Sequence, residues 1–362
     1  MKVKGFQNVL KKRGIGVAFF YNLDFENIEK DMLYFSNYSG LGALIIPAKS
    51  APFLIVPKME YEKAKCCGIK KVYVWDKEKR LFEQLRLLLK KNKINVKKIG
   101  LDEGKFSLNA YKELRKNFKG IKKEDISKEC LFLREIKTNQ EVGIIKKGYN
   151  AANKIINKGI ANFNKFKKES EVKAFLEYET KKIGCEMAFP TIVASGKHST
   201  KPHYETKDSI IKNGFCVIDF GIRYNGYCTD ITRTIYVGKA GKKEKEIYNL
   251  LLDTQKKSIN GLKIGKNCSE IYNETKRALG KYANYFTHGL GHGVGVNIHE
   301  LPNLTGKSDN KLQNNQVFTI EPGIYMNRFG MRIEDSILIE NGKIKVLTKD
   351  VPKQLKEVGG RK

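Results

Sequence analysis

A chain of 362 residues with 41% hydrophobic and 10% aromatic content is long for one core and too apolar for disorder, so two packed domains are expected. Its formal charge of +30 invites a nucleic-acid reading, but the excess is mostly lysine spread along the whole length, without the concentrated arginine patch that base readers use. Nucleic acid is therefore not an expected partner. No apolar run approaches the roughly 20 residues of a membrane span, no signal-length apolar stretch follows Lys2 and Lys4, and the seven scattered cysteines form no CxxC pair. The expectation is a cytoplasmic protein with reduced thiols and no membrane partner.

Taken in chain order, residues 1–130 read as a small α/β domain. Segments 16–20 and 43–46 are strand-like, the second pairing with 53–56 across a Pro/Lys/Ser turn. Apolar residues at 81, 82, 85, 88 and 89 have helical spacing, and 98–102 reads as another strand. This region has no histidine, and no chemistry is assigned to it. A boundary falls near 127–137, placing a second domain over 131–362. Thr138-Asn139-Gln140-Glu141 is a capping box that opens a helix running to about Phe163. Further helices are expected over 171–183, 243–260 and 269–279, with strands at 191–195, 215–221, 228–237, 316–321 and 331–340. Helices alternating with antiparallel hairpins argue α+β for this half.

All five histidines fall between His198 and His299, and carboxylates in strand-like settings flank them. Asn225-Gly226 between apolar runs is a strong hairpin signal. With a two-residue loop there, Tyr224 faces Tyr227, Asp219 faces Thr232 and Asp230 faces Gly221. Asp219 and Asp230 then share a sheet face as diagonal neighbours, about 7–8 Å apart at the backbone. Two carboxylates converging there repel unless a cation or proton sits between them.

The run from His288 to Val296 alternates, with glycine at 289, 291, 293 and 295. Period two predicts an extended strand with one bare face, and interleaved glycines disfavour a zinc-binding helix. Such glycines mark close approach by a ligand or another backbone. Glu321 ends an apolar segment before Pro322-Gly323, and Glu334 is expected to share a strand face with Arg332. Four carboxylates and an imidazole make an oxygen-rich set suited to a pair of divalent ions, with Mn, Co, Fe and Zn all compatible.

In their local motifs Asp219, Asp230, His292, Glu321 and Glu334 resemble the five metal ligands of the pita-bread metallopeptidases, and residues 1–130 loosely resemble the creatinase-type N-terminal domain. The resemblance implies a pita-bread catalytic domain that binds two divalent ions, Mn or Co before Zn or Fe. Asp219 would bind one ion, Asp230 and Glu334 would bridge, and His292 and Glu321 would hold the second, with Glu321 also managing a proton. His203 resembles the histidine that contacts substrate near the scissile amide, and His299 the one that stabilises the developing oxyanion. His288 and Arg332 match the proline-specific branch as substrate-binding residues, with Arg332 supporting either the metal-bound acids or the substrate end. They imply proline-containing peptides as substrates and a homodimer as the assembly. Tyr204-Glu205-Thr206 after the Pro-His pair resembles aminopeptidase P more than prolidase, favouring an Xaa-Pro aminopeptidase over an Xaa-Pro dipeptidase. A creatinase-like amidinohydrolase and a non-catalytic binding protein on the same fold are the alternatives. His198 matches no role and reads as a loop histidine.

Overall fold

The computed structural model describes residues 2–24 and 29–361. The chain forms two compact units, Met1–Leu133 and Arg134–Lys362. In the first, strands β1 (Val17–Asn22), β2 (Gly42–Pro47), β3 (Phe53–Val56), β4 (Lys71–Val74), β5 (Lys98–Leu101) and β6 (Lys122–Asp125) make one mixed sheet in the order β4-β3-β2-β1-β5-β6. The expected hairpin is present, with Leu44 facing Leu54 and Ile45 facing Phe53. Phe19, Phe53, Leu85, Ile99 and Leu114 are in its core. The edge strands β4 and β6 escaped the sequence reading. β6 carries only charged residues, as edge strands do to avoid pairing with another chain, whereas β4 does hold the apolar run Val72-Tyr73-Val74.

The second unit is α+β. Its strands are β7 (Glu186–Met187), β8 (Ile192–Ser195), β9 (Gly214–Phe220), β10 (Ile222–Tyr224), β11 (Tyr227–Cys228), β12 (Ile231–Val237), β13 (Gly291–Gly293), β14 (Glu300–Leu304), β15 (Val317–Ile320), β16 (Gly323–Tyr325), β17 (Gly330–Arg332), β18 (Asp335–Glu340), β19 (Lys343–Val346) and β20 (Glu357–Val358). Two sheets carry the site: β20-β12-β9-β8 and β14-β13-β15-β18-β19. Helices Asn139–Ala161 and Glu169–Lys182 contribute to an apolar cluster with Val193, Ile218 and Ile235. Helices Lys242–Asn260 and Cys268–Ala278 contribute to a second cluster around Phe318, Ile320 and Ile337. The helix boundaries fall within two residues of those expected, because caps and glycine stops mark them. Among the described residues no helix is long and apolar enough to cross a membrane.

The Asn225-Gly226 loop is the two-residue turn that the sequence predicts. Tyr224 faces Tyr227 and Asp219 faces Thr232. Both turn residues have positive φ, 45° at Asn225 and 87° at Gly226, the conformation that Asn-Gly tolerates and a branched side chain resists.

Two expected strands are shorter than their sequence patterns. The 288–296 run is paired only at Gly291–Gly293, with a bulge after His292, since the Gly295 amide turns back to the Asn297 carbonyl. The 331–340 run breaks at Ile333-Glu334, where Ile333 donates to Pro322 O and Glu334 to Thr232 O instead of to a regular ladder. Arg332 and Glu334 therefore lie either side of a break, not on one continuous strand.

Thr138 closes the capping box. Its hydroxyl accepts from Glu141 N at 3.3 Å, and Glu141 Oε2 accepts from Thr138 N at 2.8 Å. Thr138→Ala is expected to destabilise the protein by about 1 kcal/mol in urea titration, whereas Thr138→Ser should cost only a few tenths.

Candidate metal centre and active site

The antiparallel β9–β12 pair brings Asp219 and Thr232 face to face, and Asp230 enters the same space from the start of β12. From the other sheet β13 presents His292, while Glu321 and Glu334 follow β15 and β17. Each sheet thus delivers ligand-type side chains to one cavity of about 790 Å³, lined by all five expected metal ligands together with His203, His288, His299 and Arg332. The close approach of strands needs glycine. A Cβ on Gly291 would lie 1.9 Å from Thr319 O, and one on Gly293 would lie 2.0 Å from Leu301 O. Backbone crowding, not a ligand, accounts for these two bare positions.

Ligand-type atoms of Asp230, His292 and Glu334 all lie within 4.8 Å of one another. His292 Nε2 is 3.5 Å from Asp230 Oδ2 and 3.3 Å from Glu321 Oε1. Its Nδ1 is 3.1 Å from the Gly293 carbonyl, a contact only an N–H can satisfy, so the other nitrogen is directed at the acids. Glu334 Oε2 accepts from Thr232 Oγ1 at 2.6 Å, while Asp219 Oδ2 accepts from Arg332 Nη2 at 2.6 Å. The remaining oxygens, Asp219 Oδ1 and Glu334 Oε1, are buried without a hydrogen-bond partner among the described residues. Against the effect of burial, Glu321 favours the protonated form of His292 in the metal-free protein, and the orphaned carboxylate oxygens nearby are acceptors that divalent cations would satisfy.

The electrostatics agree. Burial, reinforced by the neighbouring acids, pushes Asp230 and Glu334 well above the usual carboxylate range. Burial also raises Asp219, against the pull of Arg332. Glu321 goes the other way: burial opposes it, but His292, His288 and Arg332 hold it low. Burial lowers His288 and His299, keeping both imidazoles neutral near physiological pH.

Arg332 makes four hydrogen bonds within the protein. Its Nε donates to Thr232 Oγ1, its Nη1 to Tyr325 OH and Pro202 O, and its Nη2 to Asp219. These contacts tie Arg332 to Asp219, one of the expected metal-binding acids, while its side chain lines the cavity. His288 Nδ1 lies 2.8 Å from Gly289 O, leaving a buried Nε2 without a partner among the described residues. The His299 ring stands 4.2 Å from that of His292, nearly perpendicular. The residue after it, Glu300, is buried against Lys137 at 3.1 Å and Arg134 at 3.2 Å and accepts from Asn297 N, anchoring the loop.

His198 is not a spare loop residue. It lies in the 3-10 turn Gly196–Thr200, with Nδ1 3.0 Å from the fully buried Glu169 carboxylate and its ring stacked on Tyr204. Thr232 also went unnoticed in the sequence, although the predicted register already set it opposite Asp219. Glu169 gave no signal, because a glutamate in a first helical turn reads as a solvated dipole partner.

Residues 143–341 match Metallopeptidase family M24, and residues 2–136 match the Creatinase/Prolidase N-terminal domain. The chain belongs to family M24. It is 38% identical to an Xaa-Pro dipeptidase of Pyrococcus furiosus over 329 residues, covering 88% of this chain and 91% of that one. Among solved structures it resembles an Xaa-Pro dipeptidase from Bacillus anthracis at TM-score 0.90 and 30% identity, covering 99% of each chain. It also resembles an X-Pro aminopeptidase from Thermotoga maritima at TM-score 0.87 and 29% identity, covering 95% of this chain and 98% of that one. This M24 protein is a metallopeptidase, and its family implies divalent metal ions.

Three of the four clustered carboxyls are raised, so metal-free folded protein retains protons that the unfolded chain releases. Its stability should fall as pH rises above the ordinary carboxylate range, and saturating Mn should flatten that fall because cations then replace protons. Urea midpoints across that rise in pH, with and without chelator, check it. An identical pH slope in both conditions counts against the cluster as the metal site.

Proposed function

We propose that this metallopeptidase hydrolyses Xaa-Pro bonds and acts as an Xaa-Pro dipeptidase, with two divalent ions, Mn or Co before Zn or Fe. The observation that carries the reading is the buried set of four carboxylates and His292, with Asp219 Oδ1 and Glu334 Oε1 unpartnered among the described residues, in a cavity lined by three further histidines. Asp219, Asp230, His292, Glu321 and Glu334 would hold the ions, which supply Lewis-acid polarisation of a carbonyl when bound. Glu321, the carboxylate held in its ionised form, accepts and returns a proton. His299, neutral and beside His292, donates to the developing oxyanion. His203 contacts substrate near the scissile amide. His288 offers its free Nε2 as an acceptor to a substrate N–H. Arg332 holds Asp219 in place. The seven cysteines are all free, which suits the reducing cytoplasm, and a homodimer is the assembly we assign.

Tyr204-Glu205-Thr206 favoured aminopeptidase P in the sequence. That weight falls away, because Tyr204 is fastened to Glu169 and Thr206 accepts from Val193 N at 2.7 Å, so both serve the loop. The Pyrococcus furiosus relative supports the dipeptidase, and the Thermotoga maritima structure keeps the Xaa-Pro aminopeptidase as the second reading. The ligand-type set argues against a non-catalytic protein, since every member is present and converges.

With Mn or Co the protein is expected to cleave an Xaa-Pro dipeptide faster than an Xaa-Pro-Yaa tripeptide. Comparing kcat/KM for the two decides between dipeptidase and aminopeptidase, and no turnover of either would remove both readings. Asp230→Ala should abolish metal-dependent turnover while leaving the circular dichroism of the folded protein unchanged. Retained activity in that variant would take Asp230 out of the metal set.

A further inference from the structure

His203 lines the cavity, yet its ring makes no hydrogen bond among the described residues and is exposed. A solvent-facing imidazole with no partner of its own would sample several rotamers, which is incompatible with acting at a fixed substrate atom. Its placement therefore depends on the backbone either side of it. Before it, Pro202 O accepts from Arg332 Nη1 at 3.2 Å. After it, the hydroxyl of buried Tyr204 donates to Glu169 Oε2 at 3.1 Å.

Glu169 is fully buried at the start of helix Glu169–Lys182. Its Oε1 accepts from Ser195 N and from Ser195 Oγ, each at 2.7 Å, and His198 Nδ1 lies 3.0 Å away. The His198 ring stacks on Tyr204 with centroids 4.6 Å apart and planes 19° from parallel. One carboxylate thus grips the segment at its beginning, middle and end. A buried charge is costly unless its partners are fixed, and the helix N-terminus and this set of donors meet that condition.

We propose that Glu169 is a positioning residue for the reaction. Through Tyr204 and His198 it fixes the turn that carries His203 and so sets where that imidazole meets substrate. The inference rests on the reading that His203 acts on the bound peptide. Neither Glu169 nor His198 touches the metal cluster, so their effect is on His203 and not on metal binding.

The test is a double-mutant cycle on the metal-loaded protein. Tyr204→Phe keeps the ring and removes the hydroxyl, so it leaves the fold intact where Glu169→Ala would leave four donors unsatisfied. In the native background Tyr204→Phe is expected to lower kcat on an Xaa-Pro dipeptide roughly tenfold. In the His203→Ala background it should change kcat by less than about twofold. Mn affinity should be unchanged throughout. Equal losses in both backgrounds, or a raised KM with kcat intact, overturn the proposal, because Tyr204 would then act independently of His203. A His203→Ala variant with full activity overturns it together with the role given to His203.

A second readout needs no turnover and so separates this inference from the peptidase reading. In zinc-loaded protein the ring proton signals of His203 should move toward free-histidine values in Tyr204→Phe, while those of His288 stay put. Unmoved His203 signals overturn the proposal even if the protein is a peptidase, and moved signals sustain it even if the substrate assignment fails.

Discussion

Four carboxylates share one buried cavity in the catalytic unit, and most of the surrounding structure is arranged to tolerate that. Left alone, each costs several kcal/mol to desolvate and repels its neighbours. Arg332 answers Asp219, Thr232 answers Glu334 and His292 answers Glu321. The compensation is incomplete, as the orphaned oxygens and the raised carboxyls of Asp230 and Glu334 show. Stability must come from elsewhere, and two apolar clusters that run behind the sheets provide it. Retained protons relieve part of the repulsion between the acids in the metal-free protein, and divalent ions at these acids would relieve it further.

The ring nitrogens divide the histidines in the same way. His292 directs one nitrogen at the acids because a carbonyl takes the other. His288 follows the same rule, its ring packed near Phe286 and Tyr325 while it lines the cavity. The same backbone contact thus orients both rings, and burial lowers His288, whereas at His292 Glu321 outweighs burial and favours protonation.

How much of this was readable beforehand depends on the range of the interaction. The Asp219–Thr232 register followed from Asn225-Gly226 alone, since turn type fixes pairing over a few residues. Helix starts such as Thr138 were equally plain, because capping is local chemistry. The α+β class and the converging ligand set were legible through periodicity and motif. The failures are non-local. Period two at 288–296 predicted a long strand, but a regular ladder holds only at Gly291–Gly293, with isolated backbone bonds at Leu290 and Val294 either side of it. Arg332 and Glu334 do reach the same cavity and both bond Thr232, but the continuous strand expected there breaks at Ile333-Glu334. His198 looked idle because its partner Glu169 lies 29 residues away in sequence. Charge partners across such separations leave no periodic trace.

The alternation along β12 has an effect of its own. Thr232 turns toward the acids, whereas Arg233, one residue on, is buried on the opposite side, paired with Asp335 at 2.9 Å and donating to the carbonyls of Thr348 and Val351. Glu334 and Asp335 divide in the same way, and Lys353 completes the second network by reaching both Asp335 and Gln255. Two polar cores therefore stand back to back, separated by the thickness of one strand and interleaved residue by residue. A selection for soluble folded protein and a selection for turnover would record opposite phases of the same few positions. Drift toward a new chemistry can proceed through one phase while the other keeps the scaffold standing.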